Sequence, residues 1–457
     1  MTVIAHESFK NMIFYWRLKM EIRGDFRTYS RYVSLNVAGM LGTSFYVLAD
    51  TLFIANGIGE TGIASLNLAL PMFSFIQGIG FMLGVGGATW YSILRAKNKH
   101  KEATKIFNQT IILGATLGLL FVLFGLFSSE TITRFFGADQ QTFAMAHTYT
   151  KVIMVFAPFF IFNHMLVAFI RNDQNPKLAM FSMILGSVSN VVLDYVFIFL
   201  LDMGMLGAAL ATGGTPIFGL ILLSFHFKSV KNNLHFIKVK IKLKSLWTII
   251  KLGISSFVTE MSSGIVMLVF NILILGITGN LGIAAYGIIA NIAIIAIAIF
   301  TGIAQGIQPI ISHLFGANKL QELKRTFMYG MITTVLLSTL MYLVISLESD
   351  LLIGMFNRDQ NPVLAEIAKT GLLIYFVGMF FAGFNIIAIA SLSAMNQATI
   401  AFKFSILRSI ILIIPLAFLL ANSFDMTGVW ASFVATEVIT SCLIIWQLFR
   451  VNKSYHS

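Results

Sequence analysis

Between residues 32 and 449 the chain is a near-continuous succession of apolar stretches, each long enough to cross roughly 30 Å of bilayer hydrocarbon as a helix. About twelve such stretches can be delimited, at 32–55, 65–92, 106–127, 146–170, 178–201, 205–227, 246–277, 283–312, 327–347, 368–392, 400–421 and 426–449. Charged residues make up 11% of the chain, against about 25% in a soluble domain. The pattern predicts an all-α integral membrane protein with twelve transmembrane helices. Very short turns join spans five and six, at Asp202-Met203-Gly204, and spans eleven and twelve, at Asn422–Asp425.

The positive charges then orient the chain, because Lys and Arg accumulate on the cytoplasmic side of a membrane. Lys10, Arg17, Lys19, Arg23, Arg27 and Arg31 precede the first span. Arg95, Lys97, Lys99, Lys101 and Lys105 follow the second, and six lysines from Lys228 to Lys244 follow the sixth. The opposite side carries Arg134, Lys151, Arg358 and Lys369. Both termini are therefore expected in the cytoplasm, in a multi-pass protein of the cell membrane. The net charge of +12 is a topology signal and does not point to nucleic acid. Residues 1–31 lack the h-region and cleavage site of a signal peptide. Phe9, Met12, Ile13, Trp16 and Met20 fit either one face of an interfacial helix or an ordinary tail. The single cysteine, Cys442, permits no intramolecular disulfide.

The two halves repeat at an offset of 220 residues. Phe136-Gly-Ala-Asp-Gln140 matches Phe356-Asn-Arg-Asp-Gln360, and Gly62-Ile-Ala64 matches Gly282-Ile-Ala284. Asn98, Glu102 and Phe107 match Asn318, Glu322 and Phe327. Six spans per half is an even number, so both halves enter the membrane in one orientation, related by a pseudo-two-fold along the membrane normal. The expected organisation is a tail at 1–31, a six-helix bundle at 32–227, a basic linker at 228–245, a second bundle at 246–449 and a tail at 450–457.

Against this apolar background two acids stand out, Asp50 in span one and Asp194 in span five. A carboxylate at bilayer depth costs roughly 2.5–3.5 kcal/mol on insertion scales. The repeat shows that the scaffold does not need them, since Phe270 and, with a one-residue slip, Pro415 fill the equivalent places. Tyr46 precedes Asp50 by one turn and Asn190 precedes Asp194 by one turn, so each pair shares a helix face. Thr212 in span six can join them. Such oxygens can hold a proton or coordinate Na⁺. The competing reading is an internally hydrogen-bonded helix contact.

Glu260, midway along span seven, either attracts cationic substrate, couples to an ion, or pairs with neighbouring Ser and Thr hydroxyls. Glu437 in span twelve, Arg408 in span eleven and His164 in span four read more simply as packed residues, with Arg408 snorkelling toward the cytoplasm. Gly80–Gly84 and Gly302–Gly306 are GxxxG spacings suited to close helix approach. No phosphate loop, zinc spacing or nucleophile elbow is present, which argues against a membrane enzyme.

With Val47-Leu-Ala-Asp-Thr51, Arg171-Asn-Asp-Gln-Asn-Pro176, Asn190-Val-Val-Leu-Asp194 and Gly204–Thr212, the chain resembles the multidrug and toxin extrusion (MATE) family over nearly its whole length. The resemblance implies a V-shaped pair of bundles around a central cavity, exporting drugs in exchange for H⁺ or Na⁺. It places Tyr46, Asp50, Asn190, Asp194 and Thr212 at a cation site in the first bundle, and Glu260 at a substrate cavity. Many members carry a proline early in helix one where this chain reads Ser34-Leu-Asn-Val37, so a proline-dependent bend is not expected. Some members pair the seventh-helix acid with one on the tenth; here span ten has no acid, only Asn385.

The expectation is a monomeric secondary exporter of small amphipathic, cationic drugs, needing no cofactor beyond its coupling ion. Its 43 Phe and 22 Met suit loose binding of varied apolar shapes. A flippase for lipid-linked precursors is the alternative.

Overall fold

The computed structural model describes residues 22–357 and 360–454, with side chains through Phe449; the first five candidate tail residues, Phe9 to Met20, lie outside them. Nine helices among the described residues are apolar and long enough to cross a membrane, and the bent pair Phe143–Val155 and Ala157–Asn172, 50° apart, makes a tenth. Two of the ten each contain two crossings. A straight helix over the 74 residues of Leu243–Gly316 would run about 110 Å, and it breaks instead at Gly279 (φ 65°, ψ −153°). Ala398–Phe449 breaks at Phe424 and Asp425.

The twelve spans are α1 (Phe26–Gly57), α2 (Glu60–Ala96), α3 (His100–Phe127), α4 (the bent pair), α5 (Pro176–Leu200), α6 (Gly204–Lys228), α7 (243–278), α8 (280–316), α9 (Leu320–Gly354), α10 (Pro362–Ala394), α11 (398–423) and α12 (426–454). α1 begins at Phe26, earlier than its apolar stretch, because Asp25 caps it: the Thr28 amide donates to Asp25 Oδ1 at 2.8 Å. α1 keeps helical dihedrals throughout, as its lack of proline suggests.

The repeat is written into the turns. Gly59 and Gly279, between the first and second spans of each half, have φ of 88° and 65°. Glycine adopts this region without the penalty a Cβ would bring. Asn98 and Asn318 follow at 58° and 59°, Gln174 and Asn396 at 66° and 62°, and Asp202 and Asp425 both at 49°. In the Phe136–Gln140 element, Asp139 accepts from the amides of Gln141 and Thr142 and from the Thr142 hydroxyl. The Thr142 hydroxyl and these amides hold its carboxyl below the usual range. The matching Asp359 lies outside the described residues.

Each half has its own apolar core, and the two halves exchange helix ends. Tyr29, Tyr32 and Val33, at the start of α1, are buried in the second half's core. Ile249, at the start of α7, is buried in the first half's core. Tyr29 and Ile249 are equivalent at the 220-residue offset, so the exchange follows the pseudo-two-fold. The outer surface is apolar: Leu119, Leu123 and Phe124 on α3, and Leu336, Leu340 and Leu343 on α9, are exposed, as lipid-facing residues must be.

Candidate functional site

The acids of α1 and α5 are brought together because α1 presents small residues to α5. A Cβ at Gly39 would sit 2.9 Å from Met183 Sδ, and one at Gly42 would lie 3.5 Å from Ile184. Tyr46 and Asp50 continue this α1 stripe at helical spacing. Asp194 is 0% exposed, Asn190 0% and Asp50 8%. The Asp50 and Asp194 carboxyls lie within hydrogen-bonding reach of each other.

Two bare carboxylates cannot hydrogen-bond, since each only accepts. Asp50 Oδ1 and both Asp194 oxygens accordingly have no partner, and neither side-chain polar atom of Asn190 has one, together five of the twelve such buried atoms in the described residues. Buried polar groups are nearly always satisfied. A shared proton or a bound cation would supply what these oxygens lack. The expectation of an internally satisfied helix contact therefore fails for Asp194 and Asn190.

Thr212 is buried on α6, and the Tyr149 hydroxyl on α4 donates to its Oγ1 at 3.5 Å. Tyr149 lies within electrostatic reach of Asp50, Asp194 and Tyr46. The sequence reading missed it, because a lone tyrosine in an apolar span carries no periodic or charge signal. It also missed that α5 widens into a π-helical segment, Tyr195–Leu200, immediately after Asp194. Such widenings recur at functional sites.

The second half treats its charge differently. Arg408 Nε donates to both carboxylate oxygens of Glu437 at 2.6 and 2.8 Å, and Asn385 Nδ2 donates to Oε2 at 2.7 Å. Arg408 thus does not snorkel. It lies on its own π-helical stretch, Leu407–Leu412. Replacing Arg408 with Ala should strand a buried carboxylate and cost about 3–5 kcal/mol, read as a lower thermal midpoint in detergent. The double change Arg408→Met with Glu437→Leu should restore most of it.

Glu260 makes no hydrogen bond or ion pair among the described residues. The neighbouring hydroxyls expected to pair with it donate instead to backbone carbonyls: Thr259 to Ser255 and Ser262 to Val258. Glu260 is half-buried and within electrostatic reach of Tyr46 across the two halves.

One stripe of α7 shows how the halves meet. A Cβ on Gly253 would overlap the Met82 carbonyl, and one on Gly86 would overlap the Ile249 carbonyl. Phe257 stacks edge-on against Phe75 at 5.4 Å. Glu260 comes next, and beyond it Gly264 has nothing within 4 Å. The halves are therefore sealed at the end bearing the basic loops and part beyond Glu260. The pseudo-equivalent contact joins α8 to α1, where a Cβ on Gly306 would lie 2.7 Å from Val33 Cα. Hydrogen bonds reinforce the seal: Arg171 Nη1 donates to Gln305 Oε1 (2.8 Å), Asn172 Nδ2 to Gln308 Oε1 (3.1 Å) and Gln308 Nε2 to Thr89 Oγ1 (2.8 Å). The run Arg171–Pro176 thus bridges the halves and starts α5. Its Asp173 faces the other way, accepting from Tyr91 and from the Asn233 amide of the linker, and contacting His226 Nε2 at 2.9 Å.

The family model described as MatE matches residues 37–196 and 255–419. The chain is 30% identical over 428 residues to the multidrug export protein MepA of Staphylococcus aureus, covering 90% of this chain and 91% of that one. It is 27% identical over 427 residues to MepA of Staphylococcus saprophyticus, covering 91% and 92%. A solved structure described as the outward-facing conformation of a multidrug resistance MATE family transporter of the MOP superfamily superposes with a TM-score of 0.88, at 20% identity over 94% of this chain and 96% of that one; at that identity the likeness concerns the fold.

Proposed function

Because the chain belongs to the MatE family, we propose that it is a multidrug exporter that works by antiport against a cation, H⁺ or Na⁺. The observation that carries the ion half of this reading is the group of unpartnered oxygens on Asp50, Asn190 and Asp194. With the basic loops in the cytoplasm, the seal at Gly86 and Gly253 makes this conformation open to the outside.

In that state the cation reaches Asp50 and Asp194. α1 connects the site to the seal, because its start is packed in the other half's core while Tyr46 and Asp50 face α5. A change of charge between α1 and α5 therefore bears on how the two lobes close. Drug binds in the cleft above the seal. Glu260 on its floor, without a partner, favours cationic cargo over the phosphate of a lipid-linked precursor. One charge moved through 100 mV is worth about 2.3 kcal/mol, and a tenfold drug gradient needs about 1.4 kcal/mol, so one charge suffices for a neutral drug.

Ethidium efflux from proteoliposomes, with H⁺ and Na⁺ gradients imposed separately, tests the proposal. One gradient should accelerate efflux severalfold; efflux indifferent to both would reject antiport.

A further inference from the structure

A cavity of about 90 Å³ lies inside the first lobe. Tyr46, beside the acids, lines one part of it, and Arg171 and Gln305 of the seal line another. Its lining is mainly apolar, broken by the side chains of Gln77, Asn163 and His164, and its volume leaves room for several waters. It thus runs from Tyr46 toward the closed face through the body of the lobe.

Its inner end is guarded by an unusual charge. Arg171 is 2% exposed, and among the described residues its Nε has no partner and its Nη1 donates only to the amide oxygens of Asn36 and Gln305. The acid two residues away, Asp173, is engaged by Tyr91, His226 and Asn233. A buried guanidinium without a counter-charge repels any cation approaching through low-dielectric surroundings. Its cross-lobe partner Gln305 belongs to α8, and so leaves when the lobes part at this face.

We propose that the coupling cation leaves Asp50 and Asp194 through this cavity, and that Arg171 is the valve on that route. While the seal is shut, Gln305 and Asn36 hold the guanidinium across the exit. When the seal opens, Arg171 loses Gln305 and the exit clears. This rests on the antiport reading and adds to it a route and a reason why the ion does not leak.

The test uses the full chain in proteoliposomes with an internal pH or Na⁺ dye, under an imposed gradient of each ion, without and with ethidium. Wild type should move little cation until drug is added. Arg171→Gln should raise drug-independent cation entry about tenfold, the loss expected when a charge barrier of roughly one decade is removed. Adding Asp194→Asn should abolish that leak, because the route begins at this acid. Gln305→Leu, on the other half, should give a smaller leak, and it decides the matter if Arg171→Gln elutes as aggregate. A monodisperse, ethidium-binding Arg171→Gln or Gln305→Leu protein as tight as wild type would overturn the valve. A leak that survives Asp194→Asn would overturn the route. If wild type moves no cation even with drug, the antiport reading itself fails, and the valve with it.

Discussion

Asp194→Asn is expected to reduce gradient-driven drug efflux by more than about tenfold, a rise of at least about 1.4 kcal/mol in the effective barrier. The amide keeps the volume of the carboxylate but can neither carry its charge nor exchange its proton. Asp50→Asn should do the same. The double variant should be no worse than either single one, because two carboxyls within hydrogen-bonding reach act as one unit. Stability separates this from a structural role. Asp194 is fully buried with neither oxygen partnered, so removing its charge relieves a desolvation cost. The thermal midpoint of Asp194→Asn should hold or rise, opposite to Arg408→Ala. Retained ion-driven efflux, or a midpoint several degrees lower, would argue that these acids serve the fold.

The second large effect is expected at the seal. Gly253→Leu places a side chain where the Met82 carbonyl already sits, and backbone cannot rotate aside as a side-chain end can. The state sealed at the basic-loop face should be disfavoured by more than about 2.8 kcal/mol, a hundredfold in population. Export should fall to background although Asp50 and Asp194 are untouched. The direction can be read with a reporter. Cys442 is exposed and can be changed to Ala; Thr89→Cys then marks a position now 0% exposed within the seal. Its maleimide labelling should rise sharply in the Gly253→Leu background. Unchanged labelling together with normal export would show that α2 and α7 do not form the barrier.

These effects fall on residues of very different legibility. Asp50, Asn190 and Asp194 stand out in the chain, because a charge in an apolar span is costly and helical spacing pairs each acid with its neighbour. Tyr149 gives no such sign; only the folding of α4 against α6 brings its hydroxyl to Thr212. Arg408 and Glu437 read as two isolated charges until the packing of α11 against α12 brings them together. Gly86 and Gly253 belong to no motif in the chain, yet they touch backbone to backbone. Arg171 was visible within a signature run, but its exposure to a cavity and its missing counter-charge were not.

The sequence by itself determined the twelve crossings, the repeat and the presence of acids at membrane depth. Each follows from a local quantity: the length of an apolar run, an offset between similar words, or the cost of one charge in hydrocarbon. Only the tertiary structure decided which charges are satisfied. Glu437 is neutralised by Arg408, whereas among the described residues Asp50, Asp194 and Arg171 form no ion pair. Pairing depends on distances of a few ångströms between helices far apart in the chain, and no local pattern encodes them. The same holds for the face at which the lobes close, which is set by glycines that let two backbones meet.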